Sequence, residues 1–462
     1  MKFGGAALGT TGALSQVISI ILHEYTMWER LVLVVSALEG VTDSLLEATQ
    51  LAQLSNRRGY RRIAANVRAR HLNIVEKMPL NPTERSALQA DIDRLLYDML
   101  NICQAIADDT STPDVAPDAI DAVVGTGEKL AARVVAALLR QNNLRGVAVD
   151  ATDLILTDDV HGHAYPDWDA TQSRIDTNLV PMLSRKIVPV ITGYIASNLK
   201  GKQTTLGRGG SDFSASILSV CLKADEVWVW TDVDGIMSSD PREVPYAHVI
   251  PSMSYSEMQE LAYFGARVLH SRMISPLAQN QIPLRVKNVY KPQNPGTLIS
   301  SQTSGTQPIK AITSIAGIGL MNRQSGPISR IVSLADQEMF QTMGSHADVM
   351  ILAQSYTETF LCFVVPLSAG PEAPRILRNR LESRLQSDPE LASWKVEPML
   401  VLSAVGFHRA KTALAGQVLE QLGDIVTRAV SHGPAQNSLA MVIAPQDADR
   451  AFQRLHPLTL SS

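Results

Sequence analysis

The sequence predicts an α/β protein: a mostly parallel sheet sandwiched by helices, followed by a small α+β module that occurs twice. Short runs apolar on both faces, LVLVVSA (31–37), GVAVDA (146–151), VPVITGYI (188–195) and VWVWTDVDG (227–235), alternate with segments of helix length, the pattern of strands covered on both sides. Gly, Thr, Ser and Asp residues gather just past these runs, where such sheets bind ligands. Beyond a polar linker near residue 305 the chain repeats itself. SGPISRI…MFQTMG…TFLCFVVP and VGFHRAK…VLEQLG…SLAMVIAP are offset by about 79 residues, each reading as strand, turn, helix, strand, turn, strand.

Taken in order, KFGG (2–5) sets Lys2 before two glycines, Gly4 and Gly5, whose backbone donors suit a phosphate. VVSALEGVTD leaves the first apolar run with Ser36 and Thr42, hydroxyls that can donate to a carboxylate. Residues 44–108 are rich in Leu, Ala, Arg and Asp with helical periodicity, broken around Pro79 to Pro82, and read as a helical hairpin inserted beside the sheet. VVGTGEKLAARVV comes next, a Gly-Thr-Gly loop entering a helix with Glu128 in its first turn.

The densest run is TTLGRGGSDFSAS, Thr204 to Ser216. It places Arg208, Gly209, Gly210, Ser211 and Asp212 at the entrance to a helical pattern of Phe213, Ile217, Leu218 and Cys221. Glycines admit close backbone approach, a helix start presents unpaired N–H groups, and Arg208 offers a fork for a carboxylate or phosphate. WTDVDGIMSSDPR then carries Thr231, Asp232, Met237 and Arg242, and FGARVLHSR carries Arg267. NPGTLIS and the polar SQTSGTQP close the first part. The expected domains are residues 1–303, with the 44–108 insertion, then modules at 310–392 and 393–462.

At 462 residues the chain is long enough for about three units. Hydrophobic content of 45% against 19% charged residues is that of a globular protein, and a net charge of -4 argues against nucleic acid as partner. Three scattered cysteines form no disulfide framework or thiolate metal site, which fits a reducing cytoplasm, and no apolar stretch is long enough to span a membrane. The sequence holds no GxSxG, zinc signature or GxGxxG.

In this order, KFGG, VVSALEGVTD, GTGEKLAARV, TTLGRGGSD, WTDVDGI…DPR, SMSYSEMQELAYFGARVLH and VKN…NPGTLI resemble the motifs of aspartate kinases of the amino acid kinase family, over residues 1 to about 300. The repeat is similar to the paired ferredoxin-like ACT modules those enzymes carry. The resemblance implies ATP- and Mg²⁺-dependent phosphorylation of the L-aspartate side-chain carboxylate, feeding lysine, threonine and methionine synthesis. It implies that Lys2 stabilises the transferring phosphoryl group, with Asp212 orienting Lys2 or the substrate amine and Arg208 acting at the same centre. Ser36, Thr42, Glu128, Arg208 and Ser211 become substrate contacts, Glu128 pairing with the α-ammonium. Gly4, Gly5, Gly209, Gly210, Thr231, Asp232, Met237, Arg242 and Arg267 become nucleotide contacts, with no protein-held metal site.

For the modules the resemblance implies feedback by lysine or threonine near Gly326, Ser329, Gln354 and Ser355, and a homodimer or higher oligomer. The chain departs from the family pattern at Ala6 and Ala7, where Thr and Ser are usual, at Met237 for Tyr, at Arg267 for Lys and at Ser271 for Pro. Only Met1 precedes KFGG, and with the sequence ending at Ser462 no fused homoserine dehydrogenase domain is expected. Met237 and Arg267 lead to the expectation of altered nucleotide affinity. Two other readings stay open: a catalytically weak regulatory subunit, and a kinase for another amino acid.

Overall fold

The structure is a computed structural model describing residues 1–109, 116–265, 269–301, 308–323, 328–343, 346–366, 369–370, 372–406, 411–432 and 437–460. It divides into two compact units, residues 1–235 with 269–301, and residues 236–268 with 302–462.

In the first unit seven strands run in the order Gly146–Val149, Val188–Thr192, Leu33–Val35, Lys2–Phe3, Val227–Thr231, Leu284–Asn288 and Thr297–Ser300. Neighbours pair in parallel except the last, which pairs antiparallel with Leu284–Asn288. Alternating side chains build a core on each face. Leu33 and Val35 join Phe3, Leu14, Leu130 and Val135 on one side, while Val34 joins Ile191, Phe213 and Ile217 on the other. A separate small sheet, Leu156–Thr157, Ile195–Asn198 and Gln203–Thr205, leads into the glycine-rich run.

The 44–108 region differs from the expected hairpin. It holds three helices, Val41–Gln53, Arg57–Lys77 and Pro82–Asp108. The expected break has Asn81 accepting from the Glu84 N–H with Pro82 in the first turn. The further break comes where Ser55 adopts φ +52° and the Asn56 side chain caps Gly59 N. Among the described residues no helix is long and apolar enough to cross a membrane.

The second unit carries a six-stranded antiparallel sheet, ordered Asp348–Gln354, Thr359–Val364, Ile309–Asn322, Lys395–Gly406, Ser438–Ile443 and Ala429–His432. Helices Ile328–Met343 and Ala373–Ser387 belong to the first repeat, Lys411–Leu422 and Ala448–Leu455 to the second. The long strand Ile309–Asn322 serves both repeats. Ile309 and Ile312 pack with Leu402, Val418 and Phe452, whereas Ile318 and Leu320 pack with Ile331, Leu377 and Leu381.

The expected 1–303 span is not one compact unit, because residues 236–268 fold with the repeats. Ile312 N donates to Ser238 O at 2.8 Å and Thr313 Oγ1 to Phe264 O at 3.2 Å. Lys310 Nζ, fully buried, reaches Ser252 O at 3.1 Å and Glu257 Oε2 at 3.0 Å. Sequence periodicity reports local structure, and these tethers are all long-range.

Candidate active site

The strand Lys2–Phe3 ends in the middle of the parallel sheet, so Gly4 and Gly5 sit at the carboxyl edge. Gly4 N donates to Trp230 O at 3.2 Å and Glu39 N to Gly5 O at 3.3 Å. A Cβ on Gly5 would stand 2.9 Å from Ala37 O, so only glycine lets KFGG lie against the Ala37–Glu39 turn. Ser36 continues the neighbouring strand, its N–H donating to Phe3 O at 3.1 Å, and Thr42 lies in the first turn of Val41–Gln53.

The glycine-rich run is held from outside. Asp121, 3% exposed, accepts from Thr205 Oγ1 at 2.6 Å, from Thr205 N and Gly162 N at 3.2 Å, and contacts His161 Nδ1 at 2.8 Å. Gly209 has φ +69°, and a Cβ there would fall 2.4 Å from His270 Cβ, so both conformation and space demand glycine. The helix Gly210–Leu222 starts directly after it. Tyr194 takes φ +68° just past the strand Val188–Thr192, its N–H donating to Ser214 Oγ at 3.0 Å.

These loops enclose a cavity of about 530 Å³ lined by Lys2, Gly5, Ser36, Thr42, Glu128, Arg208, Gly209, Gly210, Ser211 and Asp212. Lys2 Nζ stands 2.6 Å from Asp212 Oδ1, and Gly4 adjoins that ammonium, a Cβ there falling 3.6 Å from it. Glu128 is buried at 3% exposure. Its Oε1 accepts the Ala37 N–H at 3.2 Å, whereas Oε2 has no hydrogen-bond partner. Desolvation pushes its carboxyl up to about 8, the Ala37 N–H opposing. The Arg208 side chain is exposed in the same cavity, with no hydrogen bond or ion pair to a described residue. A buried acid without a partner and an uncommitted guanidinium together suit a zwitterion: ammonium to Glu128, carboxylate to Arg208.

Sequence reasoning missed His163 and Tyr194, which also line the cavity. Tyr194 stands just past a strand end, a signal that could have found it. His163 carries no such signal, since long-range contacts place it: Asp121 holds Gly162, and Ala164 N donates to Thr205 O at 3.0 Å.

The other expected site residues fall elsewhere. Thr231 ends the strand Val227–Thr231 and Asp232 follows it, Thr231 Oγ1 donating to Asp232 Oδ1 at 3.0 Å. Met237 and Arg242 belong to the second unit, where Arg242 pairs with Asp240 at 2.5 Å. Ser329 is exposed on Ile328–Met343, and Gln354 ends an edge strand. Ser355 is engaged in its own turn, its N–H donating to Glu358 O at 2.8 Å and its Oγ accepting from Glu358 N at 3.1 Å. Arg267 and Gly326 lie outside the described residues. No group of three His, Cys, Asp or Glu suited to a metal occurs among the described residues, and a magnesium ion carried on nucleotide phosphates needs none.

The model of the amino acid kinase family matches residues 1–288. The chain belongs to the amino acid kinase family. Within the family it is 28% identical to the lysine-sensitive aspartokinase 3 of Escherichia coli, covering 98% of this chain and 97% of that protein. It is 29% identical to the chloroplastic bifunctional aspartokinase/homoserine dehydrogenase 2 of Arabidopsis thaliana, covering 98% of this chain and 50% of that one. The chain thus spans about half the length of the bifunctional relatives it matches. The crystal structure of E. coli aspartokinase III in complex with aspartate and ADP superposes over 100% of this chain and 99% of that one, with a TM-score of 0.78 at 25% identity.

Proposed function

We propose that the protein is an aspartate kinase, transferring the γ-phosphoryl group of ATP to the side-chain carboxylate of L-aspartate to give 4-phospho-L-aspartate. The observation that carries this reading is the buried, unpartnered Glu128 Oε2 in the same cavity as Arg208 and the Lys2–Asp212 pair.

In this reading Glu128 takes the α-ammonium and Arg208 the α-carboxylate, and Ser36, Thr42 and Ser211 supply hydroxyls around the amino acid. The β-carboxylate is a nucleophile without activation, so the protein's task is to align two anions and offset their repulsion. Lys2 does the second, held by Asp212, while Gly4, Gly5, Gly209 and Gly210 offer backbone donors to phosphate. Thr231, Asp232, Met237, Arg242 and Arg267 contact the nucleotide. Magnesium, arriving with ATP, supplies further neutralisation. The attacking oxygen is the substrate's own, so no covalent enzyme intermediate forms.

The second unit reads as two ACT modules binding an end-product amino acid, lysine or threonine, near Gly326, Ser329, Gln354 and Ser355, in a homodimer or larger assembly. The name of the lysine-sensitive relative supports lysine as the first effector to try.

A hydroxamate assay of acyl phosphate formation tests the reading, with aspartate, glutamate and other acidic amino acids as acceptors, with and without lysine or threonine. ATP-dependent product from aspartate alone is expected, reduced by an effector. Product from a different amino acid overturns the substrate. Absence of any product, with lysine or threonine still bound, replaces the enzyme with a regulatory subunit.

A further inference from the structure

Ile236–Ile250 continues in sequence from Thr231 and Asp232, yet it folds with the second unit. Ile236–Ser238 runs antiparallel to His248–Ile250: Met237 bridges Val249, Ser238 N donates to His248 O at 2.8 Å, and Ile250 N donates to Ile236 O at 2.8 Å. Successive side chains of an extended segment face opposite ways. Ile236 and Ser238 are buried, 1% and 0% exposed, and Met237 between them is half-buried.

The Ser238 hydroxyl meets three groups. It lies 2.8 Å from His456 Nε2 and 3.1 Å from His248 Nδ1, and it accepts the His248 N–H at 3.0 Å. His456 is itself fully buried, with the Tyr246 ring edge-on at 5.0 Å. A hydroxyl has one proton and two lone pairs. One lone pair takes the His248 N–H, so one imidazole donates to the oxygen and the other accepts its proton. His456 Nδ1 is buried without a partner. An orphaned N–H is the rarer arrangement in proteins, which assigns the His456 proton to Nε2. His456 then donates to Ser238, and Ser238 donates to His248. Val244, from the same segment, packs with Leu402, Val418 and Phe452 of the second repeat.

We propose that His456 is a positioning residue for the nucleotide: through Ser238 it holds Met237, and the turn bearing Arg242, in one conformation on the C-terminal module. This rests on the reading of Met237 and Arg242 as nucleotide contacts. The ring that secures the nucleotide segment stands near the chain's far end, in the turn after the helix Ala448–Leu455.

The test uses the full chain, with Mg·ADP binding measured by calorimetry beside KM for ATP and for aspartate. His456→Ala is expected to weaken ADP about fivefold, the loss of one hydrogen bond, and Ser238→Ala, which removes three, at least as much, with KM for aspartate within twofold of native in both. The double variant is expected to be no weaker than Ser238→Ala, and His456→Gln, which keeps an N–H donor, to recover part of the loss seen in His456→Ala. ADP affinity within twofold of native in Ser238→Ala overturns the proposal, as does a rise in KM for aspartate in step with that for ATP. If His456→Ala does not fold, Ser238→Ala decides. A native chain that binds ADP without phosphorylating aspartate overturns the kinase reading alone, the binding measurements still deciding the role of His456. A native chain that binds no nucleotide overturns both.

Discussion

Lys2 Nζ lies 2.6 Å from Asp212 Oδ1, joining the second residue of the chain to the first turn of the helix Gly210–Leu222. Both side chains are about one-tenth exposed, 11% and 12%, so the pair is shielded from bulk water but opens on the cavity. Such a pair holds a cation at a fixed point without tying up all its hydrogens, since an ammonium has three.

Lys2→Met is expected to lower kcat about 10²–10³-fold, the usual effect of removing one donor to developing charge, with KM for aspartate little changed. Asp212→Asn is expected to lower kcat less. The double variant should resemble Lys2→Met, because Asp212 acts through Lys2. Additive losses in kcat would show two separate roles.

Glu128 ties ligand binding to protons. Its folded carboxyl is pushed up from 4.5 to about 8 by desolvation, so the native state gains by holding that proton. The contribution is complete below the unfolded value of 4.5 and is lost as pH rises through about 8. The Tm of Glu128→Gln relative to native should therefore increase from pH 5 to pH 9. An ammonium arriving at Oε2 favours the carboxylate, so aspartate binding at pH 7 should release a proton. Calorimetry in two buffers of different ionisation enthalpy reads that release. Equal heats in both would remove Glu128 from ammonium binding.

Arg208→Ala is expected to raise KM for aspartate about 10–100-fold, the loss of a charge-assisted contact, while KM for ATP stays within a few fold. Arg208→Lys should recover little, because a point charge does not replace a planar fork. Steady-state kinetics with each substrate varied separates the two constants. Equal rises in both would place Arg208 on the nucleotide side.

Gly209 and Gly201 both take positive φ, +69° and +72°. An alanine Cβ at 209 meets His270, whereas at 201 it meets nothing within 4 Å. Gly201→Ala should cost about 1 kcal/mol from backbone strain alone. Gly209→Ala should cost more and should reduce activity, because His270 or the loop must move. Denaturant midpoints compare the two, and equal costs would mean that His270 yields freely.

The buried pair Lys310–Glu257, 1% and 0% exposed, fastens residues 236–268 to the second unit. Lys310→Met is expected to destabilise that unit by about 3–5 kcal/mol, and Lys310→Met with Glu257→Leu to restore much of the loss. Thermal unfolding of both variants tests this. A double variant no better than the single one would show that Glu257 is not the group left stranded.

Much of the cavity was legible because its parts sit at strand ends and helix starts, and both are local patterns. KFGG, Ser36, Glu128 and the run from Arg208 to Asp212 each come after an apolar run or open a helix. The third helix of the 44–108 region was not legible: Asn56 looks like any polar residue until Ser55 turns left-handed. His163 gave no sign either, its place depending on Asp121.

By itself the sequence determined the parallel sheet, the glycine turns and the twofold repeat of the C-terminal region, since each is written in periodicity over a few residues or in glycine's freedom of φ. Tertiary structure decided the charge state of Glu128, which depends on how completely other segments exclude water from it. It also decided that residues 236–268 fold with the repeats, through contacts such as Ser238–His456 and Lys310–Glu257 that no local pattern encodes.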